Sequence, residues 1–264
     1  ALLFLVLMAT VSLFPLYWLF NTSLMAPSAI FKIPPDMLPV DPTLENFRAV
    51  FRASGTSDFT LGRVRVETPR FIVWFLVTVA FTLLSTAIHV LFDSMAAYAF
   101  AKHRFPGDKI FFGMIIAALM VPGQVTLVPQ YLLVSSMGFV NTFTGLIMPG
   151  LADVIGIFLL RQFMLTIPND LTEAANIDGA SEWGIYRRII LPLSAPALAA
   201  TAIFAFQRYW NAFLWPLVVA HNPDLFKLQV GLSFIQTSEF GTNYGIMMAG
   251  AVLSALPMMV DFFA

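Results

Sequence analysis

Ile167-Pro-Asn-Asp-Leu-Thr-Glu173-Ala174-Ala175-Asn-Ile-Asp178-Gly179-Ala-Ser181-Glu-Trp-Gly-Ile-Tyr-Arg-Arg-Ile189-Ile-Leu191-Pro192 is a polar, orderly stretch in a chain dominated by apolar runs. Pro168 with Asn169 and Asp170 is a helix start, since acidic groups favour the positive end of the first turn. Gly179 supplies a left-handed stop, and Ser181 is placed to cap a second helix ending before Pro192. The stretch therefore predicts two short helices joined at a glycine. Glu173-Ala174-Ala175 gives the first helix a flat face that another protein's backbone or aromatic groups can approach closely.

Apolar segments flank this loop, at Thr142–Phe163 before it and Ala195–Val219 after it. A bilayer core of ~30 Å asks for about 20 mostly apolar residues per helix. Leu2–Leu24, Phe71–Ala99, Ile110–Leu133 and Gly245–Ala264 also qualify, giving about six spans in all. Pro122-Gly123 and Pro129 interrupt the third, which membranes tolerate where neighbouring helices or a wet cavity satisfy the freed backbone. Composition agrees: 59% of the 264 residues are hydrophobic and 11% charged, against roughly 25% charged in soluble domains. The fold class is an all-α polytopic membrane protein, a single transmembrane domain over residues 1–264. The opening run Ala1–Phe20 lacks the basic start and cleavage site of a signal peptide. It reads as a first span whose preceding residues are missing, and Val260–Ala264 as a run trimmed at the other end.

Orientation follows from basic residues in short loops. Lys102, Arg104 and Lys109 crowd the turn 101–109, and Arg161, Arg187 and Arg188 flank the loop 164–194. With six spans, both fall on one side, read as cytoplasmic. A net charge of −1 gives no reason to expect nucleic acid as a partner. The lack of cysteine excludes disulfides, thiolate metal sites and a thiol nucleophile. The sequence shows no paired carboxylates, metal-spaced histidines or catalytic triad, so catalytic residues, metals and cofactors are expected to be none.

The loop resembles the EAA loop of binding-protein-dependent ABC importers: Glu-Ala-Ala, three residues, Gly, nine residues, Ile, one residue, Leu-Pro. Glu173, Ala174, Ala175, Gly179, Ile189, Leu191 and Pro192 occupy the specified positions. Leu44-Glu-Asn-Phe47, Ala96-Ala-Tyr-Ala-Phe100, Arg161-Gln-Phe163 and Trp210-Asn211 are similar to the carbohydrate-uptake branch, and within it to the smaller of two permeases. The resemblance implies an importer permease fold in the bacterial inner membrane. It implies a homologous second permease, an ATPase dimer and an extracytoplasmic solute-binding protein as partners. Glu173 to Gly179, with Asp178, and Ile189, Leu191 and Pro192 would then form the ATPase-coupling element. A phosphate loop is absent from the sequence, so ATP hydrolysis belongs to a separate subunit. The 220–244 loop, containing Pro223 and Gly241, would reach toward the binding protein. Thr78, the 54–68 stretch, Asp93 and Asp261 depart from the family pattern.

Ionisable residues deep in spans are costly and usually face a cavity or partner. Arg208 lies near the middle of the fifth span and Asp153 near the middle of the fourth, so the two can meet. One reading makes Arg208, Trp210, Asn211 and Asp153 line a solute path; the other makes Arg208 and Asp153 a tie between helices. His89 and Asp93, four apart, share a helix face and read as an intramembrane hydrogen bond, with a proton relay as the alternative. An ion-gradient-driven secondary transporter is the rival function and a membrane-embedded enzyme the next.

Overall fold

The computed structural model describes residues 2–61, 64–236 and 243–263. The chain runs through α1 (Leu2–Ser23), α2 (Glu45–Ala53), β1 (Thr56–Leu61), β2 (Val64–Pro69), α3 (Arg70–Lys102), α4 (Asp108–Ala117) and α5 (Gly123–Ser136). There follow α6 (Phe143–Ile147), α7 (Val154–Thr166), α8 (Asp170–Ile177), α9 (Glu182–Ile185), α10 (Leu191–Leu193) and α11 (Ala195–Trp210). It closes with α12 (Leu214–Val219), α13 (Leu228–Gln236) and α14 (Tyr244–Phe263). The stretch that departs from the family pattern, 54–68, largely forms an antiparallel hairpin in which Thr56 pairs with Pro69. Gly62, Arg63, Gly241 of the 220–244 stretch and Ala264 lie outside the described residues.

Among the described residues, α1, α3 and the first 18 residues of α14 are each long and apolar enough to cross a membrane. The remaining spans are broken. Asp108–Met120 and Gly123–Ser136 meet at 104°, because Pro122 removes a donor and extends the chain before Gly123. The segment read as one span at 142–163 instead bends by 47° between Phe143–Gly150 and Val154–Thr166. The break falls at residues 151–153, just after Pro149 and Gly150. The segment read as 195–219 ends its helix at Trp210 and resumes at Leu214. Conversely, α3 runs 33 residues, about 50 Å at 1.5 Å per residue. It outruns the expected span and carries Lys102 past the bilayer core.

Contacts group the chain into two compact units, Ala1–Thr78 with His221–Ala264 and Val79–Ala220. In the first, the exposed apolar residues of α1 give way to a buried end at Asn21, Thr22 and Ser23. The last carbonyls of a helix lack intrahelical donors. Here Asn46 of α2 supplies them, donating from Nδ2 to Ser23 O at 3.0 Å and Met25 O at 2.7 Å. α14 crosses directly over this amide: a Cβ on Gly245 would lie 2.4 Å from Asn46 Oδ1. The Thr78 hydroxyl donates to Trp74 O and accepts from the N–H of Leu228, both at 2.7 Å, so this departure from the family pattern caps the start of α13. Trp74 in turn donates to Pro223 O at 2.8 Å.

Removing the Asn46 donors without changing its bulk, as in Asn46→Leu, should cost about 2 kcal/mol. Thermal unfolding of the purified assembly in detergent checks this, and Gly245→Ala should lower the midpoint as well. Lys227, just before α13, is fully buried, and burial pushes its ammonium from 10.5 down to about 7. The folded state therefore sheds this proton before the unfolded state does. Stability should rise with pH from about 7 toward 10.5. Lys227→Met should flatten that rise when unfolding midpoints are compared across the same window.

Candidate functional site

The second unit holds the polar loop. α8 ends where Gly179 adopts φ +76°, and the Ala180 N–H reaches back to Ala175 O at 2.9 Å while the Gly179 N–H meets Asn176 O at 3.1 Å. This is the paired-bond termination of a helix by a left-handed residue. A Cβ on Gly179 would meet nothing within 4 Å, so the backbone angle alone requires glycine there. Ser181 then caps α9, its Oγ accepting from Gly184 N at 3.2 Å. The expected stop before Pro192 does not occur. Tyr186–Ile190 widens into a π-helical turn, which lets the chain pass into α10 with Pro192 in its first turn. The path then turns by 79° into α11.

Ala175 faces inward, packed in a cluster with Ala97, Tyr98, Leu160, Met164, Ile185, Tyr186 and Ile190, while Ile189 and Leu191 lie partly buried against the same cluster. Glu173, Ala174, Asp178 and Gly179 are exposed, as is Pro192. Ile177 is 86% exposed. It stands four residues after Glu173, on the same outward face of α8. Ile177 thereby stands in the open beside Ala174 and the carboxylates of Glu173 and Asp178. The signal for Ile177 was in the sequence, as the next outward position after Glu173 at helical spacing.

A second polar group lies along α3. Thr82, Ser85, His89 and Asp93 recur at helical spacing and are all buried. In an apolar helix such a stripe marks the face turned toward protein. His89 Nε2 lies 2.8 Å from Asp93 Oδ2, and His89 Nδ1 lies 3.1 Å from the Tyr209 hydroxyl of α11. Tyr209 also donates to Gly150 O at the bend before α7. Asp93 Oδ1 accepts from the Asp153 N–H at 3.0 Å, and a Cβ on Gly156 would fall 1.9 Å from Asp93 Oδ2. Gly156 is what lets α7 close on these carboxylates. Sequence reasoning passed over both Gly156 and Tyr209, since a glycine in an apolar run carries no mark of what approaches it.

Arg208 and Asp153 do meet, Nη1 to Oδ1 at 2.7 Å. The Arg208 guanidinium also sits 5.4 Å from the Tyr209 ring centroid. Beside the pair is a cavity of about 280 Å³ lined by His89, Asp153, Gly156, Thr201, Phe204 and Arg208. Trp210 points elsewhere: it is 1% exposed and stacked on Phe206. Asn211 is exposed, its amide turned back to Gln207 O at 2.9 Å. Of the four residues read together as a path, the structure brings Arg208 and Asp153 to one cavity and leaves Trp210 and Asn211 off it.

A family model described as the binding-protein-dependent transport system inner membrane component matches residues 94–263, which include the whole polar loop. The chain belongs to that family. The permease is 36% identical over 220 residues to an arabinooligosaccharides transport system permease protein of Halalkalibacterium halodurans, covering 83% of this chain and 74% of the relative. It is 34% identical over 260 residues to an sn-glycerol-3-phosphate transport system permease protein of Brucella abortus, covering 98% and 89%. Its fold matches a chain of a bacterial ABC transporter involved in the import of the acidic polysaccharide alginate, with a TM-score of 0.84 at 21% identity, covering 98% of this chain and 91% of that one. It is thus a transmembrane subunit of an ABC importer. As such it works with an ATPase, a binding protein and another permease, and is not itself an enzyme.

Gly156→Ala should force α7 off Asp93 at a cost of about 3 kcal/mol, read as a lowered unfolding midpoint. Arg208→Ala leaves Asp153 beside Asp93 without its cation and should destabilise the permease. Adding Asp153→Ala should recover most of that loss, as a double-mutant cycle on the same midpoint would show.

Proposed function

We propose that the outward face of α8 is the seat for the ATPase subunit, and that the importer carries a sugar, polyol or glycerol-phosphate-like solute from an extracytoplasmic binding protein into the cytoplasm. One observation carries the first part. Glu173, Ala174, Ile177 and Asp178 are exposed on a helix whose opposite face, at Ala175, is locked into a packed core. A helix held rigidly from behind and bare in front transmits a push without bending. Residues 1–264 form one permease domain in the inner membrane, with loops 101–109 and 164–194 on the cytoplasmic side, where the basic residues of those loops favour them.

Two helical bundles, this permease and its homologous partner, rock between states that expose the path to opposite sides. ATP binding favours one state only if contacts at the seat differ between the two, so that difference falls on Glu173 to Gly179. The solute class rests on relatives whose names include arabinooligosaccharides and sn-glycerol-3-phosphate. Arg208 and Asp153 border the path through their cavity. A cation beside a carboxylate and an aromatic wall suits hydroxyls, and Arg208 also suits a phosphate. Membership of an ATP-driven importer family weighs against the ion-gradient reading.

The test is co-purification of the assembled importer. Glu173→Lys or Gly179→Ala should strip the ATPase subunit from the complex while the two permeases stay together. Full retention of the ATPase by both variants, or solute-driven proton flux in vesicles without nucleotide, would contradict the proposal.

A further inference from the structure

The exposed face of α8 takes the push, but the packed cluster behind it does not by itself say which span moves. Two polar ties, both made by the last turns of α3, answer this. The Tyr98 hydroxyl donates to Glu182 Oε2 at 2.9 Å, and His103 Nε2 stands 3.3 Å from the same oxygen. Lys102 Nζ donates to Ile167 O at 2.6 Å and Asn169 Oδ1 at 2.9 Å. Glu182 is the first residue of α9, and Ile167 and Asn169 immediately precede α8. Tyr98 and Lys102 are four apart, on one face of α3. The starts of both loop helices are therefore fastened to one stripe of one long helix.

The ties sit where their worth is positional. Glu182 is 60% exposed and His103 39% exposed, and exposed ion pairs add little to stability. Their geometry is nonetheless specific, because each reaches from α3 to a helix start and not to a neighbouring turn. The same α3 carries His89, which lines the Arg208–Asp153 cavity and is paired with Asp93, about 2.5 turns before Tyr98. A rigid helix fastened at its end to the loop and bordering the cavity further along its length is a lever.

We infer that Tyr98, Lys102 and Glu182 are positioning residues that couple the ATPase-seating loop to the cavity through α3, with His103 bracing the Glu182 carboxylate. This rests on the reading of α8 as the ATPase seat. Fixing the loop at both helix starts makes a displacement of α8 a displacement of α3. Without the ties the loop is held only by the apolar cluster, which α3 shares with α7, and hydrolysis proceeds while α3 follows the loop less closely.

The experiment uses the full importer in proteoliposomes. The permease has no cysteine, so Ile155→Cys, at the cavity edge, is a unique maleimide target when the other subunits carry none. Labelling is compared with and without ATP, alongside hydrolysis and retention of the ATPase subunit. Glu182→Ala combined with Lys102→Ala should keep the ATPase bound and hydrolysing, yet shrink the ATP-dependent change in labelling by about tenfold. Glu182→Gln, which still accepts from Tyr98, should restore most of the response, and Tyr98→Phe should lose part of it even if the double variant fails to assemble. An undiminished response in both Tyr98→Phe and Lys102→Ala would overturn the inference. Full retention of the ATPase by both Glu173→Lys and Gly179→Ala, measured in parallel, would overturn the reading beneath it, whatever the ties do.

Discussion

The packing of Ala97 and Tyr98 against Ala175, Ile185, Tyr186 and Ile190 is the constraint on which the second unit turns. It joins a membrane helix to a polar loop by apolar contact, so the loop is part of the folded core and not a tether. Everything polar about the loop follows from that. With Ala175 held inward, the helical period puts Glu173, Ala174 and Ile177 outward, and Gly179 must then turn left-handed to return the chain for Ser181 to cap α9. A larger residue at Ala175 would lift α8 from its base before it touched any partner.

The same logic runs deeper along α3. Thr82, Ser85, His89 and Asp93 are all buried; the Thr82 and Ser85 hydroxyls have no hydrogen-bond partner among the described residues, whereas His89 and Asp93 are paired. Asp93 is enclosed by the Asp153 N–H, His89 and the bare backbone of Gly156. The bends at 104° and 47° are compatible with this enclosure, because broken helices expose backbone donors and acceptors that must be met nearby. Asp153 illustrates it: the residue preceding α7 gives its N–H to one carboxylate and its own carboxylate to Arg208.

What could be read in advance was local. Glu173 to Pro192 announced itself because glycine, serine and proline act through backbone rules that need no partner, and Gly179 and Ser181 act as the sequence implied. Pro122-Gly123 marked a break, although its sharpness depends on packing. Pro149 and Gly150 carried the same kind of signal and were overridden by the apolar run around them. Other features depend on residues far apart in the chain. Asn46 serves carbonyls more than twenty residues earlier, Gly156 makes room for Asp93, and Glu182 meets Tyr98 across 84 positions. Trp210 belonged with Arg208 by nearness in sequence, yet residues two apart on a helix are turned about 200° from each other and so lie nearly opposite, and only one of the two faces the cavity. Asp261 lies in α14.

The central claim is that the outward face of α8 is cytoplasmic and covered by the ATPase subunit. It can be measured on single cysteines, since the permease has none of its own. Ile177→Cys or Ala174→Cys in inside-out membrane vesicles should react with a membrane-impermeant maleimide after the ATPase is stripped, and be protected when it is restored. Labelling from the opposite side of the membrane, or labelling indifferent to the ATPase, would contradict the account.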